Sequence, residues 1–350
     1  MDAQEIIMHS LPSSSLPTTP VRESISALIP ELEHLRIRED NLNTLVADLA
    51  SEEFLLPDWR EPVFPDETVP TTSREDVLDF LFVGNTINFQ FRDYKTGEKF
   101  AAEYDGIEWN GAFGMWACLK RKFDKDPSIL AGDTLSSLSQ TDVERLFSSS
   151  NDIEIPMLDE RHEILTQVGD RLVADYEGRF TNLIETARPR LFADGEGIVE
   201  RLVDDFPFRD SSTVTLPGNQ SHEVHFWKRA QLALGMAYGR FQDTETFRLE
   251  DPLDFTIFVD YNLPNVLRGL GILEYSDRLA QLVDSRTIME AGQREEVEIR
   301  AATVAVADIL LERLNERRAS PIYAPHLDYK LFSMRDEVST PVHLTRTTAY

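Results

Sequence analysis

One aspartate set among large apolar residues is the first place in this chain to look for chemistry. The run F-T-I-F-V-D-Y-N-L-P-N-V-L over 255–267 puts Asp260 beside Phe258, Val259 and Tyr261, directly before a helix that Pro264 is placed to open. Taking a carboxylate out of water is costly. The cost is met in one of two ways: the group caps a helix or joins an ion pair, or it does chemistry where a low dielectric strengthens its field. This segment alone fits both.

Other residue groupings carry further possibilities, each with a plainer alternative. Lys228 and Arg229 are adjacent cations after His225, Phe226 and Trp227. If 226–241 is one helix they lie in its first turn, where cations oppose the helix dipole. That suits a phosphate pocket, while a salt bridge to a nearby acid explains them equally well. Asn88 and Phe89 offer an amide for a heterocycle edge and a ring to stack on it, or simple core packing. Asp328, followed by Tyr329 and Phe332, is a late carboxylate with aromatic neighbours, either a cap or a ligand anchor. Asp159 and His162 share one helical face, flanked by Glu160 and Glu163, yet no second cluster of ligands closes a metal site. No metal or cofactor is expected, and His162 is read as satisfying a structural hydrogen bond. L-R-G-L-G-I over 267–272 has the look of a helix-hairpin-helix that grips phosphate, or of a helix C-cap with a tight turn. Glycine-rich nucleotide loops are absent.

Composition narrows the partners. Sixty-two acidic against 35 basic residues give a formal net charge of −27, a surface that repels nucleic acid backbones and anionic membranes. A small phosphorylated substrate remains compatible if a few cations gather in one pocket. Cys118 is the only cysteine and sits in G-M-W-A-C-L-K, where a small buried residue is expected. One cysteine makes neither a disulfide framework nor a thiolate zinc site. No apolar run reaches the ~18 residues of a membrane span. The first twenty residues read as neither a signal nor a transit peptide, so a cytoplasmic setting is expected, with the nucleus also compatible.

The elements that must position these residues are mostly helical. Residues 1–20 read as a Ser/Pro/Thr-rich disordered leader, and helical patterning starts near Val21. The Pro-rich stretch 57–70 is a loop or an extended crossing piece, and 91–104 alternates around Thr96-Gly97 as a small hairpin. From Gly111 onward the pattern is helices with short breaks. Ile299, Ala302, Val306, Leu310 and Leu314 fall on one arc of a helix over 299–318. With no separating linker after residue 75, one mainly α-helical domain over 21–350, carrying a small hairpin or short sheet, is the expected architecture, and a monomer the expected state.

In order and spacing, several segments resemble a known family. They are N-T-I-N-F-Q-F (85–91), I-P-M-L-D-E-R-H-E-I-L (155–165), F-P-F-R-D (206–210), H-F-W-K-R-A-Q (225–231), the Asp260 segment, L-G-I-L-E-Y-S-D (270–277) and L-D-Y-K-L-F (327–332). Together they look like the queuosine salvage proteins, the queuosine 5'-phosphate N-glycosidases. The resemblance runs from about Leu78 to the C-terminus, with a weaker echo over 22–60.

This resemblance implies a helical, cofactor-independent hydrolase that releases queuine from queuosine 5'-phosphate for tRNA modification without binding tRNA itself. It gives Asp260 the role of stabilising, or attacking, an oxocarbenium-like ribosyl cation. Queuine is a 7-deazaguanine, so the nitrogen that purine glycosidases often protonate is a carbon here. Stacking and hydrogen bonds to the remaining polar edges must help the base leave, with Phe258 as one wall and Asn88, Phe89 and Phe332 as further contacts. A carboxylate such as Asp328 would select the secondary amine of queuine. The resemblance also inclines at least one of Lys228 and Arg229 toward the phosphate, with Arg209 as a further candidate. Departures from the family pattern are Phe332 for a tryptophan, Ser333 for an aspartate, Arg92 for an indole and Asn262 for an arginine; near Trp59 no base-contacting histidine matches. The other reading is a helical nucleic-acid-binding or DNA-glycosylase-like module built on 267–272.

Overall fold

A computed structural model describes residues 7–8, 15–242, 244 and 247–350. The mainly α-helical expectation holds: about half of the chain (49%) is helical and the sheets are small. The leader expected over 1–20 lies largely outside the described residues. Ile7–Met8 forms a strand antiparallel to Leu35–Arg38, and Pro20–Ser26 is a helix capped by Thr19, whose hydroxyl accepts the Arg22 N–H at 3.3 Å.

The region expected as one helical domain groups into two compact units whose segments interleave along the sequence. One comprises 1–57, 210–228 and 251–347; the other comprises 58–209, 229–250 and 348–350.

The first unit is organised by the helix Arg294–Asn315. The predicted arc of Ile299, Ala302, Val306, Leu310 and Leu314 is fully buried. Burial extends all round the helix, however, taking in Glu295, Glu296, Glu298 and Arg300. Each of these charges is paired: Glu298 accepts the backbone N–H groups of Glu33 and His34 and an ion pair from Arg294. The strand Leu273–Tyr275 pairs with Leu35–Arg38. A hairpin, Ser211–Leu216 with Gln220–His225, lies within the stretch that the sequence pattern read as helices with short breaks. Its connection, Pro217 to Asn219, turns through Gly218 and Asn219, both at positive φ.

In the second unit, an aromatic cluster of Phe64, Phe80, Trp116 and Phe123 joins the helices Arg74–Thr86 and Ala112–Phe123. Gly84 lets the helices close, since a Cβ there would sit 1.8 Å from the Trp116 ring. The 57–70 stretch is a loop as expected, held by Arg240, which donates to the carbonyls of Trp59 (2.6 Å) and Pro65 (2.8 Å). The predicted turn at Thr96-Gly97 is present, with Asp93 and Glu98 hydrogen-bonded across it. The regular hairpin lies just beyond it, Ala101–Tyr104 with Ile107–Asn110, around Asp105-Gly106.

Candidate active site

The segment bearing Asp260 is neither helix nor strand and is buried from Phe255 to Val259, with the Val259 N–H turned back onto the Ile257 carbonyl at 3.0 Å. The helix that follows, Asn262–Gly269, starts two residues before Pro264. Asp260 is half-buried, and both its oxygens are held by one residue: the Asn262 backbone N–H donates to Oδ1 at 2.6 Å and the Asn262 side-chain amide to Oδ2 at 2.8 Å. This is a turn in which the side chain caps the first N–H of the helix. Capping and chemistry do not exclude one another here, because each carboxylate oxygen keeps a further lone pair.

Asp328 lies in the helix Ala324–Ser333. Its Oδ2 accepts the backbone N–H of Phe258 at 2.7 Å, which ties this carboxylate to the Asp260 segment. Burial pushes the Asp328 carboxyl up to about 7, with the nearby charge of Asp260 pushing the same way; the Phe258 N–H and the Lys228 cation oppose them. Asp260, Asp328 and Lys228 therefore share one electrostatic environment. Phe258 is 7% exposed and its ring packs edge-on to Phe255 at 6.0 Å. Phe332 lies one helical turn beyond Asp328, with the Arg335 guanidinium 4.1 Å from its ring centre.

Lys228 and Arg229 open the helix Lys228–Phe241 as predicted, but their surroundings differ. Lys228 is 6% exposed and its backbone N–H donates to Asp210 Oδ2 at 3.1 Å. Arg229 donates to the carbonyls of Thr86 and Pro207, and its guanidinium lies over the rings of Phe89 (5.4 Å) and Phe208 (5.5 Å).

Asn88 and Phe89 belong to the second unit with Arg229. Phe89 is fully buried, and the Asn88 amide donates to Asn85 Oδ1 at 2.9 Å. Arg161, which the sequence reading passed over in favour of its neighbour His162, donates to the carbonyls of Ile87, Phe89 and Gln90 and lies 4.2 Å from the Phe89 ring centre. Burial and the like charge of Arg229 pull the Arg161 guanidinium down to about 9, so it remains charged at neutral pH. His162 sits 2.7 Å from the Leu138 carbonyl, and Asp159 accepts from Gln140 at 2.7 Å. Among the described residues no group of three His, Cys, Asp or Glu is placed to hold a metal ion. Cys118 is buried, as expected, and its thiol is pushed up to about 12.

The 267–272 segment is a helix C-cap. Gly271 takes φ +70°, the Ile272 N–H reaches back to the Leu267 carbonyl at 2.9 Å, and the chain continues into the strand Leu273–Tyr275. No helix among the described residues is long and apolar enough to cross a membrane.

Comparison with known proteins agrees with the resemblance seen in the sequence. A protein named queuosine 5'-phosphate N-glycosylase/hydrolase from Sphaerobacter thermophilus is 29% identical over 328 residues, covering 92% of this chain and 95% of its own. Proteins of the same name from Mus musculus (28% identical, 85% of this chain and 90% of theirs) and Schizosaccharomyces pombe (25% identical, 77% and 78%) are also similar. The profile of the family described as queuosine salvage protein matches residues 68–350. By that match, which takes in most of its length, this chain belongs to the queuosine salvage protein family.

Proposed function

We propose that this protein hydrolyses the N-glycosidic bond of queuosine 5'-phosphate, giving queuine and ribose 5-phosphate. The observation that carries this reading is the similarity, along nearly the whole chain, to proteins named for that activity. In the reaction the bond from C1' to the base breaks with its electron pair leaving on the base. The base gains a proton, C1' gains a hydroxyl, and one water is consumed.

Asp260 is assigned to face C1' and to stabilise the cationic transition state. Support comes from its fixed orientation, since a carboxylate already held by Asn262 need not reorganise as charge develops. Asp328 is assigned to the secondary ammonium of the base. A carboxyl poised near neutrality ionises when a cation arrives, so binding couples to the charge of the ligand. Phe258 is assigned to the base-facing wall. Of the two adjacent cations, Lys228 is assigned to the nucleotide phosphate, because its charge acts on Asp328 beside Asp260. Phe332 is assigned as a further wall. The net charge of −27 supports a small-molecule substrate over direct contact with nucleic acid or membrane. A cytoplasmic monomer without a cofactor completes the proposal.

The test is to incubate purified protein with queuosine 5'-phosphate and measure free queuine by mass spectrometry. Release proportional to enzyme and time is expected; none at high enzyme concentration would refute the assignment.

A further inference from the structure

The helix Arg294–Asn315 carries a buried guanidinium that the reaction scheme above leaves unused. Arg300 is 1% exposed. It grips Asp210 with two bonds, Nη1 to Oδ1 at 2.8 Å and Nη2 to Oδ2 at 2.6 Å. Nη2 also reaches the carbonyl of Val259 at 3.3 Å, Glu296 lies 3.4 Å from Nη1, and the guanidinium sits 3.9 Å from the centre of the Phe226 ring.

Asp210, 4% exposed, engages three consecutive N–H groups of the chain that leads into the helix bearing Lys228. Its backbone carbonyl accepts from Phe226 at 2.9 Å and Trp227 at 3.3 Å, and its Oδ2 accepts from Lys228 at 3.1 Å. Trp227 between them has φ +51°, a left-handed conformation that a bulky residue adopts only when its surroundings enforce it. A buried ion pair adds little net stability over apolar residues of the same volume. Its geometry therefore calls for another use.

We infer that the Arg300–Asp210 pair positions the reacting groups: through the Val259 carbonyl it fixes the turn that presents Asp260, and through the Lys228 amide it fixes the turn that presents Lys228. Neither residue needs to touch substrate. Lysine at 300 could not replace the arginine, since a single ammonium nitrogen lacks the planar fork that sets two nitrogens on Asp210 and one of them also on Val259. The inference rests on Asp260 and Lys228 acting in the glycosidase reaction proposed above.

Full-length Arg300→Lys, Asp210→Asn and the double variant test it, assayed well below their melting temperatures for queuine release and, without ligand, for amide hydrogen exchange. A loss of kcat of about 10- to 100-fold is expected for each single variant, because small misplacements of reacting groups cost rates of that order. The double variant should be no worse than the poorer single one, as two members of one unit are not additive. Exchange should rise together in 226–228 and 258–262, at least tenfold above wild type. A pair that merely stabilises the fold would leave kcat at the wild-type value in the cold, and that result overturns the inference. So does a rise in exchange at only one of the two segments. If Arg300→Lys does not fold, Asp210→Asn carries both readouts. If wild type releases no queuine, the glycosidase reading fails, while the exchange pattern still decides whether the pair links the two turns.

Discussion

Asp328 offers a prediction that can be made without substrate. Its carboxyl is held near 7 in the folded protein, against 3.8 for the free side chain. A raised carboxyl favours the protonated form of the folded state. Below the unfolded value the group is protonated in both states and changes nothing. As pH rises from about 4 to about 7 the unfolded chain ionises while the folded one resists, so stability is lost across that window and the loss is complete above it. At about 1.4 kcal/mol per pK unit, wild type should lose roughly 2–3 kcal/mol between pH 5 and pH 8 through this one group. The side chain is only half-buried, so solvent screening places the effect toward the lower end. Asp328→Asn removes the ionisation and keeps an oxygen for the Phe258 N–H. Its melting temperature relative to wild type should therefore climb between pH 5 and pH 8. Thermal melts of both proteins at the two pH values measure this directly. Parallel curves, with no gain for the variant at pH 8, would show that the surroundings of Asp328 impose no cost on its charge, and its selection of a cationic base would lose its physical ground.

Four further variants test the site geometry. Asp260→Asn should lower kcat by at least ~10²–10³-fold with the fold retained, as read by circular dichroism alongside queuine release; near-normal turnover would reduce Asp260 to a cap. Asn262→Ala removes the side-chain donor to Asp260 but keeps the backbone one, so kcat should fall about tenfold with KM nearly unchanged. Lys228→Met should raise KM for the nucleotide about 10- to 100-fold more than for the nucleoside, whereas Arg229→Met should act chiefly by lowering the melting temperature, since it releases the carbonyls of Thr86 and Pro207.

What the sequence made legible was local. Asp260 before a helix, the cations at the start of 228–241 and the C-cap at Gly271 depend on neighbours within a few residues, and periodicity or turn chemistry reports them. Two local signals were nevertheless missed. Asp105-Gly106 is a strong hairpin turn that was overshadowed by Thr96-Gly97 nearby, and the alternating T-V-T-L before Pro217 was absorbed into a helical stretch. The partners of buried charges could not be read at all. Glu298 meets Glu33 and His34 from more than 260 residues away, and Arg300 meets Asp210 from 90.

Such distant partners explain why the shared segments were easier to recognise than to interpret. The segments 155–165 and 225–231 drew attention for a histidine and a pair of cations. In the fold, each contains an arginine that is among the largest fully buried side chains of the described chain, Arg161 and Arg229, and Arg300 is a third. Arginine is among the residues least often buried, so pattern reading does not reveal these side chains as parts of the core. A guanidinium nevertheless supplies up to five donors in a rigid plane, and that suits it to hold several backbone carbonyls of an irregular segment at once. Arg161 does this for the loop carrying Asn88 and Phe89, while Arg300 gives one donor to the Val259 carbonyl beside Asp260 and the others to Asp210. Irregular backbone that must present side chains at fixed positions, without the hydrogen bonds of a helix or strand, needs donors from elsewhere in the chain. In this protein buried arginines supply them.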